Sequence, residues 1–478
     1  MMTEITDRWL YYLLVGIYFM MVVGCVASVL KENRNPVRSI AWVIALTFLP
    51  VGGIVAYLFF GRSLRGEHII SRYNKRRLMT HMAPGHVDLD SQPLSRSERN
   101  LIKLAKNVST SFFTVNNELE IFTIGRDKFE ALKRDMRAAR ESIYLQYYIF
   151  LDDRLGQEIA DILIDKAHEG LDVKVLYDHV GSFSARNRFF RAMATAGVQV
   201  HPFFKVTFPQ LANRVNWRNH RKIVIIDSSI GYIGGMNIAD RYEQGSSPGQ
   251  VWRDTHFRVR GDIVESLTYS FVVDWNFGNQ PLQMELPRKS PVPFHNSTGM
   301  QLVTSGPMGE WDNISLCFLK AISSATKCIY IQTPYFLPTD ALQHALEAAS
   351  LSKIDVRIMI PRKSDSRLLQ FASFSYVTKC LRAGMKVYLY NPGMLHAKGM
   401  IIDDNLVTAG STNFDFRSFE NNFESNLFIY DREVNRKMCD IFFSDMRSCS
   451  KVTYSAWIKR PLPQRFMEST IRLFSPIL

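Results

Sequence analysis

The sequence predicts an α/β protein: two fused halves, each a mixed sheet flanked by helices, forming one shared site and preceded by an N-terminal two-helix transmembrane hairpin. Three observations predict this. Two long uncharged runs open the chain, a pattern of strand-like and helix-like segments then occurs twice, and one charged signature recurs in each copy at the same spacing. With 478 residues, 46% hydrophobic and 22% charged, the chain is too apolar for disorder. It is also long enough to bury a large core without a disulfide or metal staple.

Residues 9–30 and 39–60 are runs of 22 residues without a charge, each long enough to cross about 30 Å of hydrocarbon as a helix. Residues 31–38 are too few to fold alone, so the two runs read as a hairpin. A cleaved signal is the other reading of the first run, and Val22-Val23-Gly24-Cys25 has the look of a lipoprotein cleavage box. Glu4 and Asp7 deny it a positive leading segment, and the apolar run continues past Cys25. Arg8, Arg62, Arg65, Arg72, Lys75, Arg76 and Arg77 flank the hairpin, against Lys31, Arg34 and Arg38 in its loop. That bias puts both ends in the cytoplasm and makes the chain a multi-pass protein of the inner (cytoplasmic) membrane, with everything after residue 60 facing the cytoplasm. Pro50, Gly52 and Gly53 imply a kink or a close helix contact in the second run. The basic segment 62–77 is either a solvated flank or, better, a contact for anionic headgroups. Among Cys25, Cys317, Cys328, Cys380, Cys439 and Cys449 there is no CxxC pair, which argues against a zinc site and for reduced thiols. The net charge of +13 calls for a polyanion, nucleic acid or acidic lipid, and the hairpin favours lipid.

Beyond the hairpin the chain repeats itself. Ile143-Tyr-Leu-Gln146 is echoed by Ile329-Tyr-Ile-Gln332, and Asp172-Val-Lys-Val-Leu by Asp355-Val-Arg-Ile-Met. These short apolar runs read as buried strands, separated by helix-length stretches such as 125–141 and 155–170, so each half is an α/β unit. The expected divisions are 1–75 (hairpin and basic flank), 76–115 (linker), 116–280 (first half), 281–298 (linker with Pro281, Pro287, Pro291 and Pro293), 299–455 (second half) and 456–478 (amphipathic tail). The tail either lies on the bilayer or packs on the second half.

The strongest repeat is His220-Arg-Lys222-Ile-Val-Ile-Ile-Asp227 against His396-Ala-Lys398-Gly-Met-Ile-Ile-Asp403. Gly234-Gly235-Met-Asn237 and Gly410-Ser411-Thr-Asn413 follow at equal distance. His220 and His396 stand 176 residues apart, as do Asn237 and Asn413. In an extended segment positions i and i+2 share a face, so each His and Lys point the same way. Two His, two Lys and two Asn converging suit a phosphodiester without a metal: one imidazole attacks phosphorus and the other protonates the leaving alcohol. Lys222, Lys398, Asn237 and Asn413 would hold the non-bridging oxygens. Asp227 and Asp403 end their strands, where a carboxylate either serves the site or only caps a turn. Asp254 and Glu424, a second pair, either orient the imidazoles or form simple salt bridges. No carboxylate cluster accompanies these residues, so neither a metal nor another cofactor is expected.

The paired signatures resemble the phospholipase D superfamily, which implies two phospholipase D-like halves with one active site. The segment Asn35-Pro-Val-Arg-Ser-Ile-Ala-Trp42, Trp252-Arg-Asp-Thr-His256 and Gln332-Thr-Pro-Tyr-Phe-Leu-Pro338 resemble bacterial cardiolipin synthases within it, over essentially the whole chain. The resemblance implies that two phosphatidylglycerol molecules yield cardiolipin and glycerol through a phosphatidyl-histidine intermediate, with His220 as nucleophile and His396 as general acid–base. It leaves the acceptor alcohol open. Gly235 stands where the second copy has Ser411, so one hydroxyl contact to phosphate is missing on that side. Phosphatidylglycerol and anionic lipids are the expected partners, and no nucleic acid. Hydrolysis or transfer to another alcohol is the close alternative, a tethered nuclease a distant one. Phe203, Phe204, Tyr335, Phe336, Phe414 and Phe416 either line an acyl-chain entrance or are ordinary core aromatics.

Overall fold

The computed structural model describes residues 2–31, 36–49, 51–61, 65–66, 70–81, 87–206, 216–245, 249–277, 284 and 298–475. They fall into two compact units, residues 1–64 with 206–216, and residues 65–205 with 217–478.

In the first unit the helix Met2–Lys31 forms as the uncharged run requires, and Arg8–Lys31 is long and apolar enough to cross a membrane. Trp9, Tyr12, Phe19 and Met20 are exposed along it. The second run departs from the expected single span. It is broken into Pro36–Phe48, Gly52–Ala56 and a π-helical turn Tyr57–Gly61. Val51 lies at the break with φ 62°, a left-handed value that a β-branched residue rarely adopts, and proline at 50 has no N–H to continue a helix. The expected close contact is present at Gly53, where a Cβ would stand 2.3 Å from the Ala45 carbonyl oxygen. Val29, Leu46, Ile54 and Tyr57 form the small core of the hairpin, and the Tyr18 hydroxyl donates to the Leu46 carbonyl (3.4 Å).

The second unit holds both halves. The first sheet runs from edge to edge as Gly393–Leu395, Val251–Gly261, Ile230–Gly234, Ile223–Ile226, Ser142–Tyr147, Asp172–Asp178 and Gln199–Phe203, with Asn117–Ile124 also paired to Val251–Gly261. The second runs as Phe113–Thr114, Gly299–Ser305, Glu424–Tyr430, Leu406–Gly410, Gly399–Ile402, Cys328–Gln332, Asp355–Pro361, Lys386–Tyr390 and Cys449–Lys451. Ser142–Tyr147 pairs parallel with Asp172–Asp178 and antiparallel with Ile223–Ile226. Cys328–Gln332 does the same with Asp355–Pro361 and Gly399–Ile402, so the repeated sequence is a repeated topology. Helices such as Gly125–Ala138 and Arg154–His168 cover the sheets, and all four residues of Ile223–Ile226 are buried, as an unbroken apolar run requires. One strand is lent outright: Gly393–Leu395 belongs to the second half by sequence and extends the first half's sheet.

Three of the expected divisions fare differently. The segment 76–115 is not a bare linker, since it carries the helix Arg96–Val108, started by a Ser95–Glu98 capping box and anchored by buried Leu101 and Ile102. Of the segment 281–298 only Met284 and Thr298 lie among the described residues. The tail forms the helix Leu462–Arg472, which packs on Arg367–Arg382, with the Arg472 guanidinium 4.9 Å from the Tyr376 ring centroid.

Candidate active site

His220 and His396 lie just before the strands Ile223–Ile226 and Gly399–Ile402, and each is held by backbone of the other half. The His220 N–H donates to the Phe423 carbonyl (2.9 Å), and the Phe423 N–H to the Arg218 carbonyl (2.9 Å). Across the site, the His396 N–H donates to the Arg253 carbonyl (2.6 Å), continuing the ladder between Gly393–Leu395 and Val251–Arg253.

The carboxylates are exchanged in the same way. His220 Nδ1 lies 3.0 and 3.1 Å from the two oxygens of Glu424, in the second half. His396 Nδ1 lies 2.6 Å from Asp254 Oδ2, in the first. A carboxylate can only accept, so both Nδ1 atoms donate and each Nε2 carries the lone pair; that of His396 has Lys398 Nζ 3.3 Å away. Glu424 and Asp254 have no exposed surface. Burial pushes both carboxyls up, but His220 and Lys222 around Glu424, and Lys398 and His396 around Asp254, pull them below the usual range. Burial takes each imidazole down to about 4, against the pull of its own carboxylate, so both rest neutral.

Lys222 and Lys398 are buried beside them. Lys222 Nζ donates to the His220 carbonyl (2.6 Å), and Lys398 Nζ to that of His396. Burial lowers both ammonium groups, Lys222 well below its ordinary value and Lys398 to about 8. Tyr148 meets the His220 ring edge-on (centroids 4.9 Å apart), while Tyr242 (5.6 Å) and Trp252 (5.4 Å) flank His396. The sequence reading missed Tyr148 and Tyr242. Tyr148 was within reach, since it stands two residues after the repeated Gln146.

Other expected site residues are placed differently. Asp227 and Asp403 sit at the far ends of the signature strands. Asp227 accepts from the N–H groups of Arg140, Glu141 and Ser142, and Asp403 from those of Thr326, Lys327 and Cys328. Both have φ near 50°, so they are turn residues pinning the neighbouring strand, the capping alternative rather than the catalytic one. Ser411 was expected on phosphate, but its hydroxyl donates to Glu424. At Gly235, its counterpart, a Cβ would stand 2.1 Å from Asp254 Oδ1, so the Asp254 carboxylate fills the space a serine would need. Asn237 accepts from the Ile149 N–H (3.1 Å) and donates to the Tyr242 hydroxyl (2.6 Å), so both ends of its amide bond within the first half. Asn413 is buried with its Oδ1 unpartnered among the described residues. The aromatics considered for an acyl entrance are mostly core: Phe203 stacks on Phe277, and Phe336 on Phe414.

Two buried arginines, also missed, lock the halves together. Arg221 pairs with Asp274 (2.5 Å) and donates to the Glu424 and Ser305 carbonyls; Arg253 pairs with Asp445 (2.9 Å). Gln146 and Gln332, matched positions of the repeat, donate to those same two aspartates. Among the described residues no group of three or more His, Cys, Asp or Glu is arranged to hold a metal ion.

Residues 132–246 and 318–446 match the family described as "Cardiolipin synthase, PLD-like domain", two segments that each contain one His–Lys signature. The chain is 39% identical over 482 residues to the major cardiolipin synthase ClsA of Bacillus subtilis, covering 98% of this chain and 99% of that protein. The chain belongs to the cardiolipin synthase family. It is 38% identical to a cardiolipin synthase of Listeria monocytogenes, covering 98% of this chain and 99% of that one. Residues 20–62 match "Phospholipase_D-nuclease N-terminal". Phosphatidylserine synthase of Haemophilus influenzae superposes with a TM-score of 0.61 at 17% identity, over 80% of this chain and 100% of that one, which shows the phospholipase D fold. As a member of the family the chain is a phosphatidyltransferase acting on phospholipids, and its apolar first helix accords with membrane association.

Proposed function

We propose that this enzyme condenses two phosphatidylglycerol molecules into cardiolipin and glycerol through a phosphatidyl-histidine intermediate. The observation that carries the reading is the pair of buried imidazoles, each with its Nδ1 on a carboxylate of the opposite half and a lysine beside it. Nε2 of His220 attacks the phosphorus of the first lipid, the bond from phosphorus to the headgroup glycerol oxygen breaks, and His396 supplies the proton that leaves with glycerol. His396, neutral again, takes a proton from a headgroup hydroxyl of the second lipid. That oxygen attacks phosphorus, the P–N bond breaks, and His220 is restored. Both imidazoles rest neutral, which suits the nucleophile. The phosphate anion arriving between them favours the protonated form that the acid needs.

Lys222, Lys398 and Asn413 hold the non-bridging oxygens. The arriving phosphate favours the charged form of both lysines against the pull of burial, and a charged lysine at about 4 Å, with an effective dielectric near 20, contributes about 4 kcal/mol of attraction. Glu424, with Ser411, and Asp254 orient the imidazoles, while Asn237 positions Tyr242. Asp227 and Asp403 hold the strand ends. The two halves are residues 116–280 and 299–455. The hairpin crosses the inner membrane twice with both ends in the cytoplasm, and the positive charge serves anionic lipid rather than nucleic acid.

Mass spectrometry of lipids after incubating the enzyme with phosphatidylglycerol in mixed micelles tests the reading. Cardiolipin and free glycerol should exceed phosphatidic acid, and added glycerol should drive the reaction back. Phosphatidic acid as sole product at every lipid density would make the enzyme a hydrolase.

A further inference from the structure

The tail helix Leu462–Arg472 has a use beyond chemistry at the paired histidines. Its inward face is fully engaged: Ile471 and Glu468 are buried, and the Glu468 carboxylate takes both terminal nitrogens of Arg460 (2.6 and 2.9 Å). Its outward side is apolar. Leu462 is 75% exposed, Phe466 74% and Leu473 78%, at spacings that return to one side of a helix, with Met467 and Phe474 beside them and Tyr454 and Ile458 exposed just before. A water-facing helix would place its polar residues there and bury these, so the inversion marks a surface built to be covered.

The charges around the patch decide what covers it. Between residues 454 and 475 the only acidic side chain is the buried, paired Glu468, while Lys459, Arg465 and Arg472 are exposed. The exposed charge of this segment is therefore wholly positive. A second copy presenting the same face would repel it, whereas an anionic leaflet offers both an apolar layer and the opposite charge. We propose that the outward face of Leu462–Arg472 is a docking surface for an anionic phospholipid leaflet, seating the second half of the enzyme on the membrane that holds its substrates. Leu462, Phe466 and Leu473 enter the boundary between headgroups and acyl chains, and Lys459 and Arg465 stay among the phosphates.

The test uses the full chain in vesicles of phosphatidylglycerol and phosphatidylcholine, with a trace of phosphatidylcholine carrying a diazirine high in one acyl chain. After irradiation, peptide mass spectrometry should find lipid adducts within 462–474 as well as within 9–30. Each basic residue beside an anionic leaflet is worth about five-fold in partitioning. Lys459→Gln and Arg465→Gln should each lower the 462–474 adducts by about that factor and leave those within 9–30 unchanged, as an internal control. Labelling of 9–30 with none in 462–474 overturns the proposal. So do cross-links joining the 462–474 segments of two copies, which would make the patch a dimer interface.

Discussion

Replacing Glu424 by glutamine isolates what the exchanged carboxylate does. Glu424 has no exposed surface and accepts from His220 Nδ1 at 3.0 Å, from Ser411, and from Asn422 Nδ2 at 3.2 Å. The amide keeps an oxygen able to accept from Nδ1, so ring orientation survives, but the negative charge is gone. That charge stabilises the positive imidazole that forms when Nε2 bonds phosphorus. With charge centres about 4 Å apart and an effective dielectric near 20, the loss is about 4 kcal/mol, or about a thousandfold in rate. Substrate binding does not use this interaction, so kcat falls about 10²–10³-fold with KM little changed. Rapid-quench measurement of labelled glycerol release from phosphatidylglycerol checks which step slows: the first release should lose its rate in E424Q while the thermal midpoint stays close to that of the parent. Turnover within about two-fold of the parent, or a loss residing wholly in KM, would refute a role for Glu424 in forming the intermediate.

Four further outcomes follow from the same geometry. Gly235→Ala places a methyl group 2.1 Å from Asp254 Oδ1, well inside contact distance, so it should displace the carboxylate from His396 and lower kcat, as read by initial rates beside Asp254→Asn. Acid-quenched enzyme given lipid labelled in its phosphatidyl part should carry the label on His220, and an adduct on His396 reverses the two roles. Each imidazole has a folded pKa of about 4 against an ordinary 6.5, so the folded state binds fewer protons than the unfolded chain between those values. Stability is thus full above about pH 6.5 and lost as pH falls towards 4, about 3 kcal/mol per histidine, and H220Q should show a shallower fall in melting temperature over that window. Protease added outside intact spheroplasts should leave the chain beyond residue 60 uncut, and cleavage there would reverse the topology.

Much of the fold was legible because each signal was local. A run of 22 uncharged residues, Ile-Val-Ile-Ile beside a turn aspartate, and the echo of Ile143-Tyr-Leu-Gln146 in Ile329-Tyr-Ile-Gln332 depend only on neighbours along the chain. The break at Val51 was half legible: proline and two glycines announced a kink, but not that the second run would divide into three pieces. Ser411 and Asn237 were assigned to phosphate by residue type. The structure gives their groups to Glu424, Ile149 and Tyr242, partners that spacing cannot reveal.

The sequence by itself determined the duplication, the paired His–Lys signatures and the family, because these lie in residue identity and in distance along the chain. It named Asp254 and Glu424 as the carboxylates for the two imidazoles but held no information on which serves which. Tertiary structure decided that. Gly393–Leu395 adds to the first half's sheet beside Val251–Arg253, and Phe423 exchanges backbone hydrogen bonds with Arg218 and His220. These pairings across the interface bring Asp254 under His396 and Glu424 under His220, so neither half holds a complete site. Contact between imidazoles and carboxylates 142 and 204 residues apart is set by how the two sheets meet, and no spacing within either copy records it.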